Sequence, residues 1–132
     1  SKNTLLLFES GIGSLQSHKA KVLSHDDLVS SFINISLGST LGNNHIFILD
    51  TSKETGDLSV KVLPASNDND KYSGIEYYFM HYSTESVTNS SEIILYNKSN
   101  LIQERVMLGS SQILLNLRVI WDGVAGVWMK QK

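Results

Sequence analysis

The sequence predicts an all-β fold: an antiparallel β-sandwich of about ten strands with minimal helix. Three observations carry that expectation. Short apolar runs recur along the chain, each closed by Gly, Ser, Asn or Asp, which is the pattern of sandwiches and barrels. Several runs alternate apolar and polar residues with period two, as a half-buried strand requires. Ala is scarce and Pro occurs once, whereas Ser and Asn are frequent, so strong helix formers are thin outside Leu and turn formers abound.

Taken in order, Thr4-Leu5-Leu6-Leu7-Phe8 reads as the first strand and ends at Ser10-Gly11-Ile12-Gly13. A weaker strand from His18 to Leu23 leads into Ser24-His25-Asp26-Asp27, which can cap one helical turn. From Ser31 to Leu37, residues Ile33, Ile35 and Leu37 share one face and Asn34 and Ser36 the other. Gly38 and Gly42 bracket a turn before a short strand from His45 to Leu49. Asp57 to Leu63 alternates with Leu58, Val60 and Val62 inward, Pro64 stops it, and Asn67-Asp68-Asn69-Asp70 forms a polar loop. Ile75 to Tyr82 follows, then shorter strands from Glu92 to Tyr96 and from Leu101 to Met107. Gln112 to Trp121 is the longest run, with Ile113, Leu115, Leu117, Val119 and Trp121 on its inward face. Asp122-Gly123 is a hairpin signal, and Val124 to Met129 returns beside that run. No repeat of solenoid or propeller period is visible.

Size and composition narrow the function classes. The 132 residues fit one domain, 1–132, long enough to build a core without staples. Cysteine is absent, so there is no disulfide framework, thiolate metal site or thiol nucleophile. A formal charge of -2 gives no basic footprint for nucleic acid or an anionic membrane. No apolar run approaches the roughly 20 residues that span a bilayer, so no membrane insertion is expected.

Motifs for chemistry are equally thin. His18, His25, His45 and His81 show no metal-binding spacing, and His25 beside two acids reads as part of a cap. The Asn67–Asp70 loop lacks the Gly and the terminal acid of a calcium loop, leaving a solvated turn. The glycines around Ile12 and between Gly38 and Gly42 complete neither a dinucleotide fingerprint nor a phosphate loop. Glu76, Glu85, Glu92 and Glu104 lie in or near strands, where a glycosidase pair separated by about 5–9 Å could sit, but nothing singles out two of them. Three N-glycosylation patterns begin at Asn34, Asn89 and Asn97, as an Asn- and Ser-rich chain produces by chance. The expectation is a non-enzymatic protein with no cofactor.

Two runs break the rule of one wet face. Tyr78, Met80 and Tyr82 oppose Tyr77, Phe79 and His81, and Leu114, Asn116, Arg118 and Ile120 oppose the inward row of the long strand. An apolar second face needs a cover, and a subunit interface is the simplest. Tyr78, Met80, Tyr82, Leu114, Asn116, Arg118 and Ile120 are therefore the candidate interface residues. Trp121 continues an inward row, whereas Trp128 near the C-terminus is the candidate ligand-contact aromatic.

The opening strand Thr4–Phe8, the alternating Ser31-Phe32-Ile33-Asn34-Ile35-Ser36-Leu37-Gly38 and the closing Val119-Ile120-Trp121-Asp122-Gly123-Val124-Ala125-Gly126-Val127-Trp128-Met129 together resemble the distal heads of bacteriophage tail fibres and tail needles. The nearest type is the tail-needle knob of short-tailed phages of enteric bacteria. The likeness covers most of the chain but rests on size, strand texture and Ser/Asn-rich loops, so no binding residue is carried over. It implies a jelly-roll sandwich akin to tumour necrosis factor, forming the C-terminal part of a longer fibrous chain. It further implies a homotrimer at the tail tip of a virion, acting in host attachment or envelope penetration. Its partner would be a bacterial cell-surface component, polysaccharide or outer-membrane protein. The alternative is an extracellular carbohydrate-binding module or lectin-like adhesin domain, which requires an exposed aromatic platform or a polar cleft.

Overall fold

The computed structural model describes residues 4–9, 15–52, 56–84, 89–109 and 114–131, with side chains from Ala20 onward. Ten strands follow one another: β1 (Thr4–Glu9), β2 (Leu15–Leu23), β3 (Ile33–Ser36), β4 (Ile46–Asp50), β5 (Leu58–Leu63), β6 (Glu76–Tyr82), β7 (Ser90–Tyr96), β8 (Ile102–Gly109), β9 (Asn116–Asp122) and β10 (Val127–Gln131). They form a six-stranded sheet in the order β1-β2-β4-β6-β9-β10 and a four-stranded sheet in the order β3-β5-β7-β8. Among the described residues helix is confined to three 3-10 turns. The all-β sandwich expected from the periodicity is the architecture of the chain.

The strand directions are mixed, in place of the uniformly antiparallel pairing expected. Four of the eight pairings are parallel: β2 with β4, β4 with β6, β3 with β5 and β5 with β7. Parallel neighbours cannot be joined by a tight turn. Here each crossover is itself a strand of the other sheet, so β2 to β7 wind alternately through the two sheets as three successive coils. Ala20 lies beside Ile46 and Ile46 beside Tyr78, so one coil advances 26 residues and the next 32. That inequality hides the winding from a search for a fixed period. The remaining strands close the sandwich with antiparallel pairs: β1 on β2, β8 on β7, β9 on β6 and β10 on β9. The chain thus reaches a jelly-roll-like two-sheet shape by a different path.

Alternation sets the core. Ile33 and Ile35 of β3, Leu58, Val60 and Val62 of β5, and Ile93 and Leu95 of β7 face Phe47, Leu49, Tyr77, Phe79, Leu117 and Val119 of the larger sheet, all buried. The aromatic residues form one cluster. Phe47 stacks on Phe79 with centroids 5.4 Å apart, Tyr77 lies edge-on to both, and Trp128 sits 5.5 Å from Tyr77 and 4.9 Å from Trp121. Of the residues expected inside, Leu115 is the exception at 54 % exposed. It precedes β9, and although its carbonyl accepts from His81 N–H, its side chain is not covered, so an inward phase alone does not bury it. The expected start of that strand, Gln112 and Ile113, lies outside the described residues, as do Gly11, Ile12 and Gly13.

Local chemistry accounts for the turns. Ser24 caps the first 3-10 turn (His25–Asp27) as a capping box: its backbone N–H donates to Asp27 Oδ2 at 2.9 Å, and its hydroxyl accepts from Asp26 N–H at 3.4 Å. The last hairpin is longer than Asp122-Gly123 suggested. Val127 pairs with Asp122, and Gly126 at φ 76° closes a four-residue loop through its N–H to Asp122 O. Asp122 Oδ1 accepts from Val124 and Ala125 N–H. Gly123 serves a different need, because a Cβ there would strike the Asn69 carbonyl and the Ser73 hydroxyl.

Along one side the sheets are tied by polar groups. The Gln103 carboxamide of β8 donates to Trp128 O and accepts from Trp128 N–H, both at 2.8 Å, and Lys130 Nζ reaches Glu104 Oε2 at 2.6 Å. Gln103 thereby satisfies the open edge of β10 as a neighbouring strand would. Truncating Phe79 to Ala should destabilise the protein by about 3–5 kcal/mol in a urea titration. Replacing Gln103 with Leu leaves two backbone groups without partners and should cost about 1–3 kcal/mol, with Trp128 fluorescence moving to the red as water reaches the β10 edge.

Candidate functional site

The two outer faces of the sandwich differ in kind. On the four-stranded sheet the outward residues include Asn34, Ser59, Lys61, Glu92 and Arg105. Lys61 lies 4.0 Å from the Phe32 ring centroid, and Arg105 pairs with Glu92 at 3.4 Å. Ile94, Tyr96, Ile102 and Met107 project to the same side, so this face is mixed: its apolar residues are interleaved with charged and polar ones.

The six-stranded sheet presents an apolar outer face. Residues in register on neighbouring strands project to the same side. One row therefore runs Ala20, Ile46, Tyr78, Arg118 and a second Val22, Ile48, Met80, Asn116. Tyr82 extends the patch beside Asp50, and Ile120 and Met129 extend it on β9 and β10. The register continues to place Leu114 opposite Tyr82. Tyr82, Leu114 and Met129 are 52 %, 48 % and 44 % exposed, while Ile46, Ile48, Tyr78, Met80 and Ile120 are half-buried among one another. All seven residues singled out from the sequence for a second apolar face thus lie on or continue one side of one sheet. The β4 contribution, Ile46 and Ile48, was not legible because a short apolar strand does not reveal which face is covered.

Within this face sits one charged group. The Arg118 guanidinium lies 4.7 Å from the Tyr78 ring centroid, and its Nε is 3.5 Å from Glu76 Oε1. Both partners of the ion pair are half exposed, so the pair itself adds little stability. It holds Arg118 over the tyrosine ring, which lets an apolar contact form around a cation already partnered.

Trp128 is a correction. It is 3 % exposed, packed on Tyr77 and Trp121, and its indole N–H donates to Tyr96 O at 2.9 Å. Closeness to the C-terminus suggested a surface position, but β10 pairs with β9 and turns the ring inward opposite Trp121. It offers no platform for a ligand.

The acids considered for catalysis are engaged elsewhere. Glu76 pairs with Arg118, Glu92 with Arg105 and Glu104 with Lys130, and Glu85 lies outside the described residues. Among the described residues no group of three His, Cys, Asp or Glu side chains is placed to hold a metal ion, and no helix is long and apolar enough to cross a membrane. Compared with protein-family models, with curated proteins and with solved structures, the chain matches none.

One histidine links the two sheets. His81 Nδ1 lies 2.8 Å from the hydroxyl of buried Ser91, and its Nε2 is buried without a partner among the described residues. Burial lowers the His81 pKa from its ordinary 6.5, outweighing the backbone of Asn89 and the Asp57 carboxylate, which act to raise it. The unfolded chain therefore binds more protons than the folded one as the pH falls below 6.5, so stability declines in that window and levels off below the folded pKa. Thermal melts from pH 7.5 to pH 5 should show this decline, and His81→Gln should flatten it while leaving the alkaline end little changed.

Proposed function

We propose that this domain is a non-enzymatic assembly and attachment head, which associates with copies of itself through the outer face of its six-stranded sheet. The observation that carries the proposal is the outer face of the six-stranded sheet, where Ile46, Ile48, Tyr78, Met80, Tyr82 and Ile120 gather on one side, whereas charged side chains interleave with the apolar ones on the other sheet. Contiguous apolar surface of this kind marks an interaction site. A closed ring of identical subunits covers it without leaving a free copy of the patch for filament growth. The stacked Arg118 and Tyr78 supply the cation and aromatic ring that are enriched at such contacts.

The resemblance to phage tail-fibre and tail-needle heads supplies the number of subunits, three, and the setting: the tip of a virion tail, in contact with the bacterial envelope. A head of this kind acts by binding. In the trimer the four-stranded sheet and the loops at the sandwich ends stay open to a cell-surface partner.

Light scattering after size exclusion at micromolar concentration should give the mass of a trimer. Tyr78→Ala combined with Met80→Asp should shift it to monomer while the β-type circular dichroism spectrum persists. A wild-type monomer across that range would remove the assembly reading and leave a lectin-like carbohydrate-binding module ahead.

A further inference from the structure

The three parallel strands β3, β5 and β7 end at the same end of the four-stranded sheet, and the loops that follow them line an open groove. Its walls carry Ser36 and Ser39 from the first loop, Ser66 from the second, and Ser99 and Asn100 from the third. Its floor is the half-buried apolar stretch Leu63-Pro64-Ala65. Lys98 forms a ridge shared with an adjoining groove, which Asn67, Asp68 and Asp70 line on the far side.

The backbone of these loops is fixed while the outward polar groups are left uncommitted. The Asn69 carboxamide clamps Ala65, accepting from its N–H at 2.8 Å and donating to its C=O at 3.2 Å. Asn97 Oδ1 accepts from Ser99 N–H at 2.9 Å and Leu101 N–H at 3.1 Å, and Lys98 N–H donates to Gly126 O. Ser39 Oγ donates to Ser36 O and accepts from Gly42 N–H. Asp68 and Asn100 flank the ridge, both in the left-handed region at φ 52° and 62°. By contrast, the side chains of Ser66, Asp68, Asp70, Lys98, Ser99 and Asn100 make no hydrogen bond or ion pair among the described residues. A rigid backbone carrying free polar heads is the arrangement that binds with little loss of conformational entropy.

We infer that this double groove is a saccharide-binding site, and that its ligand is a neutral oligosaccharide. The site combines an apolar floor with hydroxyl, carboxamide, carboxylate and ammonium groups on both rims, which matches the C–H faces and equatorial hydroxyls of a sugar chain. Its charges balance, Lys71 and Lys98 against Asp68 and Asp70, so it offers no net field to an anionic polymer. The open shape admits the middle of a chain as readily as its end. This inference deepens the attachment reading by naming where a surface polysaccharide is held. The groove is lined by loops at one end of the sandwich, and none of the residues of the apolar face assigned to assembly lines it.

The test is an amide NMR titration of ¹⁵N-labelled protein with neutral O-polysaccharide fragments from a panel of enteric bacteria, with an oligogalacturonide as the anionic control. Shifts should concentrate at residues 63–71 and 97–100. Ser66→Trp and Ser99→Trp, which fill the groove from exposed positions, should each weaken binding by at least about tenfold with unchanged melting temperature and oligomeric mass. No response to any neutral fragment, shifts outside the groove, or a stronger response to the oligogalacturonide would overturn the inference. Because mass is measured on the same samples, the two readings separate. A trimer that binds no neutral fragment removes the saccharide site alone, and a monomer that binds through the groove removes the assembly reading alone.

Discussion

Tyr77 occupies the seam where the wound, parallel part of the sandwich meets its antiparallel closure. Its strand, β6, pairs in parallel with β4 on one side and antiparallel with β9 on the other. Its ring packs against Phe47, Phe79 and Trp128, and its hydroxyl, buried with it, donates to Gly42 O at 2.7 Å. A buried phenol without that acceptor would carry the desolvation cost of an unmet donor. The burial also raises its pKa well above the usual tyrosine value, so it remains a neutral donor. Gly42 can approach because it lacks a side chain: a Cβ there would meet the carbonyl of Ser36. One hydrogen bond thus anchors the turn between β3 and β4 to the aromatic core.

That anchoring bears on how the surfaces arise. Since each coil passes through both sheets, the loops leaving β3, β5 and β7 emerge at a common end, and their polar residues converge without any sequence proximity. The same winding lays β4 beside β6, which brings Ile46 and Ile48 next to Tyr78 and Met80 on the outer side. An apolar outer face and a polar groove are therefore two results of one strand path.

The asymmetry of the outer faces also illustrates how an antiparallel rule fails in a mixed sheet. Ile94 projects outward from β7 and is nonetheless buried, flanked in register by Lys61 and Arg105. Long aliphatic stems that keep their charges in water can cover an isolated isoleucine. No such stems cover Met80 or Tyr82, whose neighbours in register are Ile48 and Asp50.

Within-strand chemistry was legible from the residues in order. The positions of the strands, the capping box at Ser24, the stop at Pro64 and the inward rows of β3, β5 and β6 all follow from alternation and from short-range hydrogen bonding. So did the existence of a second apolar face, because Tyr78, Met80 and Tyr82 cannot share a side with Tyr77 and Phe79. Strand partners were not legible, since a period of two says which residues share a face but nothing about the neighbour or its direction. Trp128 became a core residue only through its pairing with Trp121, Leu115 is exposed despite its inward phase, and Gly123 was required by a loop some fifty residues earlier. The sequence by itself determined a β-sandwich with one apolar face too many. The tertiary structure decided which strands meet, and with that where the second face and the groove lie, because contacts between distant segments depend on the winding rather than on local pattern.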